Sequence, residues 1–156
     1  MSARPPAPRV VLAVQYAVGA KTLPRPATLR RWVHAAVERD AAVTLRFVGR
    51  REGQTLNSLY RGKEYATNVL AFGYDAATRV TGDVVVCAPV LRHEARAQRK
   101  PLADHCAHLV VHGILHLQGY DHDDDHAAHR MEARETAILA ALGVPDPYAA
   151  PAGARR

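Results

Sequence analysis

The fold of this chain is organised around one stretch of sequence, His112-Gly113-Ile114-Leu115-His116-Leu117-Gln118-Gly119-Tyr120-Asp121-His122. Residues four apart lie on the same face of a helix, so His112 and His116 can approach one metal ion together. Gly119 can end the helix in a left-handed turn that sends the chain back toward that face. This return would bring His122 to the same ion, so the spacing predicts a three-histidine metal site.

The same spacing, H-x-x-x-H-x-x-G-x-x-H, is the skeleton of the metzincin zinc proteases. Those enzymes carry a glutamate directly after the first histidine as the general base, and here that position is Gly113. Three neutral imidazoles leave one tetrahedral position open, which is how catalytic zinc is held. The motif therefore predicts a zinc site of catalytic type that lacks the usual proteolytic base.

The helix that carries the motif is predicted to be central and buried. It extends over about 101–118, and within 106–117 every residue is apolar, glycine or histidine. At about 100° per residue, four histidines fall on one stripe: His105, His108, His112 and His116. His108 and His112 are also four apart, so the upstream histidines are an alternative ligand set or partners of the ligands. The downstream set alone accounts for the glycine break, and we prefer it.

Composition is that of a soluble globular domain. A chain of 156 residues, 48% hydrophobic and 23% charged, is long enough to bury one core. The net charge of +6 suits a polyanion such as nucleic acid, although many basic proteins bind none. The two cysteines, Cys87 and Cys106, form no C-x-x-C pair, which excludes a thiolate zinc ribbon and favours a reducing compartment.

No segment is expected to enter a membrane, because no apolar run approaches the roughly 18 residues that a membrane helix requires. Arginines precede the apolar run Val10–Ala20, as in a secretory signal. Early prolines and Gln15 argue against that interpretation, and Val10–Val14 is typical of a buried strand. We expect a cytoplasmic protein with a disordered tail at 1–9, a single domain at 10–148 and a second tail at 149–156.

Periodicity predicts four strands and five helices. In chain order, they are a strand at 10–15, a helix at 28–38, a strand at 42–48, a short helix at 54–60, strands at 67–72 and 80–88, and helices beginning near 89, 101 and 125. Thr28 is the expected helix cap, Gly49–Gly53 a basic turn, and Gly82-Asp83 a bulge or turn. Strands early and helices late predict an α+β domain.

A second polar constellation is Arg61-Gly62-Lys63 followed by Thr67-Asn68. Arginine offers paired donors that match a phosphate group. In most proteins such a basic turn is merely solvated, and sequence separation does not show whether it lies near the histidines. Asp121 lies inside the metal loop, and two interpretations stay open for it. It is either a solvated residue, or it acts as a base or as a hydrogen-bond acceptor for a ligand imidazole.

Further segments carry a resemblance to a known family. They lie between about Trp32 and Tyr148 and are Leu56–Gly62, Thr67–Phe72, Gly82–Cys87, His105–Leu109, His112–His122 and parts of Met131–Tyr148. Together they resemble the YbeY family of bacterial single-strand endoribonucleases, which act in ribosomal RNA maturation. The resemblance implies a small mixed four-stranded sheet packed by about five helices, with a substrate groove beside the histidine helix.

The resemblance also implies roles for particular residues. One zinc ion per chain would be bound by His112, His116 and His122. Arg61 would be required for RNA cleavage, in the cleft that leads to the metal. Further RNA contacts are assigned to Lys63 and Asn68.

The function we predict is a zinc-dependent endoribonuclease, a hydrolase that cuts single-stranded RNA in ribosomal RNA maturation and ribosome quality control. The expected partners are single-stranded RNA, ribosomal RNA and the ribosomal small subunit. The general base stays open between Asp121, a metal-activated water and the RNA 2′-hydroxyl. One alternative is a zinc-stabilised, non-catalytic ribosome-assembly factor, which would need a fourth protein ligand such as Asp121 or Cys106. A metalloprotease is disfavoured by Gly113. The sequence leaves the oligomeric state open.

Overall fold

The protein is described from a computed structural model at residues 6–61, 67–74 and 78–149, the side chains of Tyr60 and Arg61 excepted. Its elements follow the predicted order: β1 (Val10–Tyr16), α1 (Pro26–Ala36), β2 (Ala41–Val48), α2 (Arg50–Arg61), β3 (Val69–Tyr74), β4 (Val80–Cys87), α3 (Ala88–Ala97), α4 (Leu102–Leu117) and α5 (Asp125–Ala141). The strands form one sheet in the order β1-β2-β4-β3. β1, β2 and β4 are parallel, whereas β3 is antiparallel to β4. The predicted α+β class and mixed sheet are confirmed.

Helix α4 occupies the centre of the molecule, as its apolar circumference predicts. It contacts β3 and β4 on one side and α1, α3 and α5 on the others. Val110, Val111, Ile114 and Leu115 are fully buried, and each such side chain contributes about 1.5–3 kcal/mol when it leaves water. The histidines of α4 are therefore carried by the most firmly packed helix of the fold.

Gly113 allows α4 to lie close against the sheet. A Cβ atom at this position would stand 2.7 Å from Cγ1 of Val84 on β4. At Gly82 a Cβ atom would stand 2.5 Å from the backbone carbonyl oxygen of Phe72 and 2.7 Å from Cδ2 of Leu117, at the end of α4. The predicted bulge at Gly82-Asp83 is wrong, since the pairing of β4 with β2 and β3 continues through both residues.

Two local predictions are also corrected. Helix α1 begins at Pro26 after Arg25, so Thr28 lies inside the helix and does not cap it; proline suits the first turn because it has no N–H to satisfy. The predicted basic turn at 49–53 is largely the first turn of α2. There Glu52 accepts hydrogen bonds from Arg46, with Oε2 2.6 Å from Nε, and an acidic group is favourable near a helix N-terminus.

Helix α2 covers the opposite face of the sheet. A small second core forms there from Val48, Leu70, Val85 and Cys87, with Leu56, Phe72 and Val90 packed against it. The last residue of α2 is Arg61, and the chain then leads to β3, which forms the edge of the sheet next to α4.

The predicted domain limits of 10–148 stay a prediction. Residues 6–9 lead into β1, and the N–H of Arg9 donates to Asp40 at 2.8 Å. Residues 1–5 and 150–156 lie outside the described residues. Among the helices that are described, none is both long and apolar enough to cross a membrane.

Candidate metal centre and groove

The motif turns back on itself where the sequence predicts. Gly119 has a φ of +94°, and the N–H of Tyr120 donates to the carbonyl of Leu115 at 3.2 Å, which is the helix-ending pattern that glycine permits. The return places the ring centre of His122 5.8 Å from that of His112. One turn thus brings together His112 and His122, which belong to the same short motif.

Gln118 holds this turn against α1. Its Nε2 donates to the carbonyl of Ala36 at 2.8 Å, and its Oε1 accepts from the N–H of Glu38 at 2.8 Å. Glu38 also accepts from the hydroxyl of Tyr120 at 2.7 Å. The loop that carries His122 is therefore tied to the end of α1 on both sides of its glycine.

The three motif histidines share one groove between β3 and the end of α4. Its volume is about 410 Å³, within the usual range of about 300–1,000 Å³ for small-molecule sites. The walls are formed by Val69, Leu70, Ala71, Phe72, His112, Gly113, His116, Asp121, His122 and Asp123. His116 and His122 are exposed and His112 is half-buried, so the groove is open to a ligand from solvent.

The electrostatics of the groove favour a neutral imidazole at His116. The residue is exposed as a whole, but its ring is partly enclosed. Burial of the ring, and then the neighbouring charges of His112 and His122, lower the pKa of His116, against a smaller opposing effect of Asp121. The neutral form is the one that binds metal.

A second cluster, which the motif did not predict, lies behind His112. Ligand atoms of His108, His112 and Glu135 all lie within 4.8 Å of one another, so this group could hold a metal ion. Oε2 of Glu135 lies 2.7 Å from Nδ1 of His112 and 3.5 Å from Nε2 of His108. The hydroxyl of Tyr148 donates to Oε1 of the same carboxylate.

Glu135 is ionised in this cluster. Burial alone would raise its pKa, but hydrogen bonds from His108, His112 and Tyr148 outweigh that effect and lower the pKa to about 2. Burial, and then the hydrogen bond to Glu135, raise the pKa of Tyr148. At neutral pH the carboxylate is therefore the acceptor and the phenol the donor.

A sequence signal for Glu135 existed. The buried residues of α5 are Met131, Glu135, Ile138 and Leu139, so an acidic side chain stands on the apolar stripe of a helix. Acidic residues are almost never fully buried unless paired. Its partner could not be identified from sequence, because the contact joins α5 to α4 and to the segment after α5.

The arrangement fits a zinc ion at the motif histidines. The contact with Glu135 occupies Nδ1 of His112, so Nε2 is the ring nitrogen that could bind a metal. A carboxylate behind a ligand imidazole is the usual partner of zinc-bound histidines. Imidazole nitrogen is itself a preferred zinc ligand.

The other candidate ligands from the sequence lie in different surroundings. His105 is buried, with Nε2 2.9 Å from Oε1 of Glu94. Cys106 is fully buried in the main core, and this burial raises the pKa of its thiol to about 12. Asp121 lines the groove, where its Oδ1 accepts from the N–H of Asp123 at 3.0 Å and so shapes the loop.

The predicted RNA contacts are described in part. Asn68 precedes β3, and its Nδ2 donates to Oε1 of Glu94 at 3.1 Å. Its backbone carbonyl accepts from Cys87 at 2.9 Å. The backbone of Arg61 ends α2, while the Arg61 side chain and Lys63 lie outside the described residues.

Comparison with known proteins agrees with the resemblance seen in the sequence. The family model for Endoribonuclease YbeY matches residues 23–143. Endoribonuclease YbeY of Thiobacillus denitrificans is 56% identical over 144 residues, covering 91% of this chain and 98% of the relative. The namesake from Aromatoleum aromaticum is 54% identical over 144 residues, covering 90% and 94%.

Structural comparison supports the fold. The solution structure of a Thermotoga maritima protein aligns with a TM-score of 0.55 at 23% identity, covering 94% of this chain and 100% of that one. The family match includes the whole histidine motif, and the alignments with the two relatives cover 91% and 90% of this chain. The chain belongs to the Endoribonuclease YbeY family.

Proposed function

We propose that this protein is a zinc-dependent endoribonuclease that cuts single-stranded RNA, with the metal held by His112, His116 and His122. The observation that carries the proposal is the common groove of these three histidines, which opens to solvent beside the sheet edge. The family names of its relatives supply the substrate class. One zinc ion per chain follows from one such motif.

The residues of the groove have distinct parts in this proposal. Bound zinc would supply Lewis acidity and an activated water. Arg61 neutralises the charge that grows on the phosphoryl group, and Lys63 steers the strand through its phosphates. Asn68 offers its side-chain carbonyl oxygen to the RNA, while its Nδ2 donates a hydrogen bond to Glu94. Asp121, which lines the groove, is one of three candidates for the general base, beside a metal-activated water and the RNA 2′-hydroxyl.

The biological setting is inferred from the family. We assign the activity to ribosomal RNA maturation and ribosome quality control in the cytoplasm, with the ribosomal small subunit as the partner. The net charge of +6 agrees with a polyanionic substrate.

Two alternatives are less well supported. Exposure of His116 and His122 argues against a purely structural zinc site, because structural sites are closed by four protein ligands. A protease would need a base next to His112, where a side chain at Gly113 would instead meet Val84.

The test is cleavage of a single-stranded RNA by the wild type, His116→Ala and Arg61→Ala, with a duplex of the same sequence beside it. We expect both variants to lose at least about 100-fold in rate. His129→Ala is the matched control, because His129 is an exposed histidine of α5 outside the groove. A chelator should abolish wild-type cleavage and added zinc restore it.

Metal analysis of the purified protein completes the experiment. One zinc per wild-type chain and none in His116→Ala are expected. The proposal is lost if both variants cut as fast as the wild type, since a contaminating nuclease would then explain the activity. Stable zinc without RNA cleavage would favour the non-catalytic assembly factor.

A further inference from the structure

Glu135 is an acidic side chain buried in the interior of the protein. It has no exposed surface, and an ionised carboxylate is costly to bury unless charged or polar partners compensate it. The groove does not include it. Its contacts instead join three parts of the fold: α5, which carries it, α4 with His108 and His112, and Tyr148 from the segment after α5.

The hydrogen bonds define the state of the His112 ring. With Glu135 accepting from Tyr148 at Oε1 and from His112 at Oε2, the 2.7 Å contact between Oε2 and Nδ1 of His112 corresponds to the tautomer with its proton on Nδ1. Nε2 then carries the lone pair. Tyr148 donates to the second oxygen, Oε1, and this bond prevents the carboxylate from rotating away from the histidine.

We propose that Glu135 is a positioning residue that holds His112 in the Nδ1-protonated tautomer, with Nε2 directed to the metal, and that Tyr148 orients Glu135 for this purpose. The inference deepens the proposed zinc site and depends on it. A carboxylate behind a ligand imidazole fixes the orientation of the ring and raises its basicity. The last segment of the domain thereby takes part in metal binding without touching the metal.

Direct ligation by Glu135 is the competing arrangement, in which His108, His112 and Glu135 surround the ion. Zinc lies about 2.0–2.2 Å from nitrogen and oxygen ligands and holds them tetrahedrally, which places ligand atoms about 3.4 Å apart, whereas these two atoms are 2.7 Å apart. That separation is an ordinary hydrogen-bond length. The complete burial of Glu135 also separates it from the open groove.

The experiment measures the zinc dissociation constant of the full chain by competition with a chromogenic chelator. Glu135→Gln keeps the shape but removes the charge, and its amide group can turn toward Nδ1. We expect zinc binding about 10–100-fold weaker. Tyr148→Phe removes one hydroxyl from a half-exposed side chain and should weaken binding by a smaller factor, about threefold or more.

Matched controls separate positioning from general damage. Glu94→Gln changes the same kind of contact at a histidine outside the groove, since Oε1 of Glu94 lies 2.9 Å from Nε2 of His105. Tyr16→Phe removes a hydroxyl that donates to the carbonyl of Pro24. Both should keep the wild-type zinc affinity even where they lower thermal stability.

The tautomer of the His112 ring can be measured directly, and a change in the stability of the protein does not by itself alter it. In the zinc-free wild type, ¹⁵N resonances of the His112 ring, assigned by their loss in His112→Ala, should show a protonated Nδ1. Glu135→Gln should shift the ring toward a mixture of tautomers. A wild-type ring protonated on Nε2 overturns the inference, and this measurement decides it even if Glu135→Gln does not fold.

The remaining outcomes separate this inference from the proposed function. Wild-type affinity in both Glu135→Gln and Tyr148→Phe overturns the inference while the zinc site stands. A loss in His108→Ala as large as that in His112→Ala also overturns it, because His108 and Glu135 would then be ligands. If His116→Ala binds zinc like the wild type, the proposed site itself is wrong.

Discussion

At the scale of single residues, burial of the Cys106 thiol opposes the loss of its proton, which zinc binding requires. Zinc is bound by a thiolate, and burial raises the pKa of Cys106 to about 12. We therefore predict that Cys106→Ala keeps one zinc per chain and full RNA cleavage, with a loss of about 1 kcal/mol in the free energy of unfolding. Elemental analysis and thermal denaturation measure both. Loss of zinc would revive the closed structural site.

Asp121 makes a second residue-scale prediction. Asp121→Asn keeps a carbonyl oxygen that can accept from the N–H of Asp123, so the loop and zinc binding should persist. The carboxylate that accepts a proton is lost, and we expect kcat to fall about 100-fold. Asp125→Asn is the control, because Asp125 is an exposed neighbour in the sequence that does not line the groove. An unchanged kcat would exclude Asp121 as the base and leave a metal-activated water or the RNA 2′-hydroxyl.

These residues also show how far the site could be predicted from sequence. His112, His116 and His122 belong to one helix and one turn, so local spacing was sufficient to group them. Glu135 meets His112, and Tyr148 meets Glu135, only through tertiary packing. An acidic residue on an apolar stripe was visible in the sequence, but no local rule names its partner.

At the scale of elements, the contact between α4 and β4 positions the metal site. Gly113→Ala places a methyl group 2.7 Å from Cγ1 of Val84, and relief of that overlap requires α4 to move away from the sheet. We predict a loss of about 1–3 kcal/mol in the free energy of unfolding, measured by urea denaturation. His112 and His116 move with the helix, so zinc affinity should fall as well.

Gly19→Ala is the matched control, since nothing lies within 4 Å of a Cβ atom there. Gly113→Glu should gain no peptidase activity, although it recreates the protease motif. If Gly113→Ala has the same free energy of unfolding as the wild type, the side chain of Val84 can move aside without destabilising the fold, and the prediction is wrong.

Element boundaries were predicted less well than element types, for identifiable reasons. The start of α2 was placed too late because Gly53 and two arginines resemble a turn, whereas the pairing of Glu52 with Arg46 stabilises the first helical turn. Gly82 was interpreted as a bulge, yet a Cβ atom there would overlap the backbone carbonyl oxygen of Phe72 and the side chain of Leu117. At both positions the local sequence pattern is ambiguous, and a tertiary contact determines which structure forms.

At the scale of the whole molecule, element order could be predicted and sheet order could not. Alternation of strand and helix patterns is local, and it predicted all nine elements in sequence. The insertion of β4 between β2 and β3 is a non-local pairing. It turns β3 into the edge strand beside α4, and this placement creates the groove for the histidines.

The net charge of +6 leads to a prediction about the whole surface. Binding of single-stranded RNA releases counterions, with a slope of log K against log salt of about −0.7 for each neutralised phosphate. With three phosphate contacts, an increase from about 50 to about 200 mM salt should weaken binding about 20-fold. Fluorescence anisotropy measures this in the His116→Ala background, where the RNA stays intact.

Substitution of Arg61 then tests whether the end of α2 contributes one of these contacts. In that background, Arg61→Ala should make the salt slope shallower by about 0.7, because one phosphate is no longer neutralised. Arg51→Ala is the control, since this exposed arginine lies near the other end of the same helix, about 15 Å away at 1.5 Å per residue. If both substitutions change the slope equally, the positive charge acts as a diffuse field and Arg61 makes no specific phosphate contact. If neither changes it, the RNA follows a path that avoids α2.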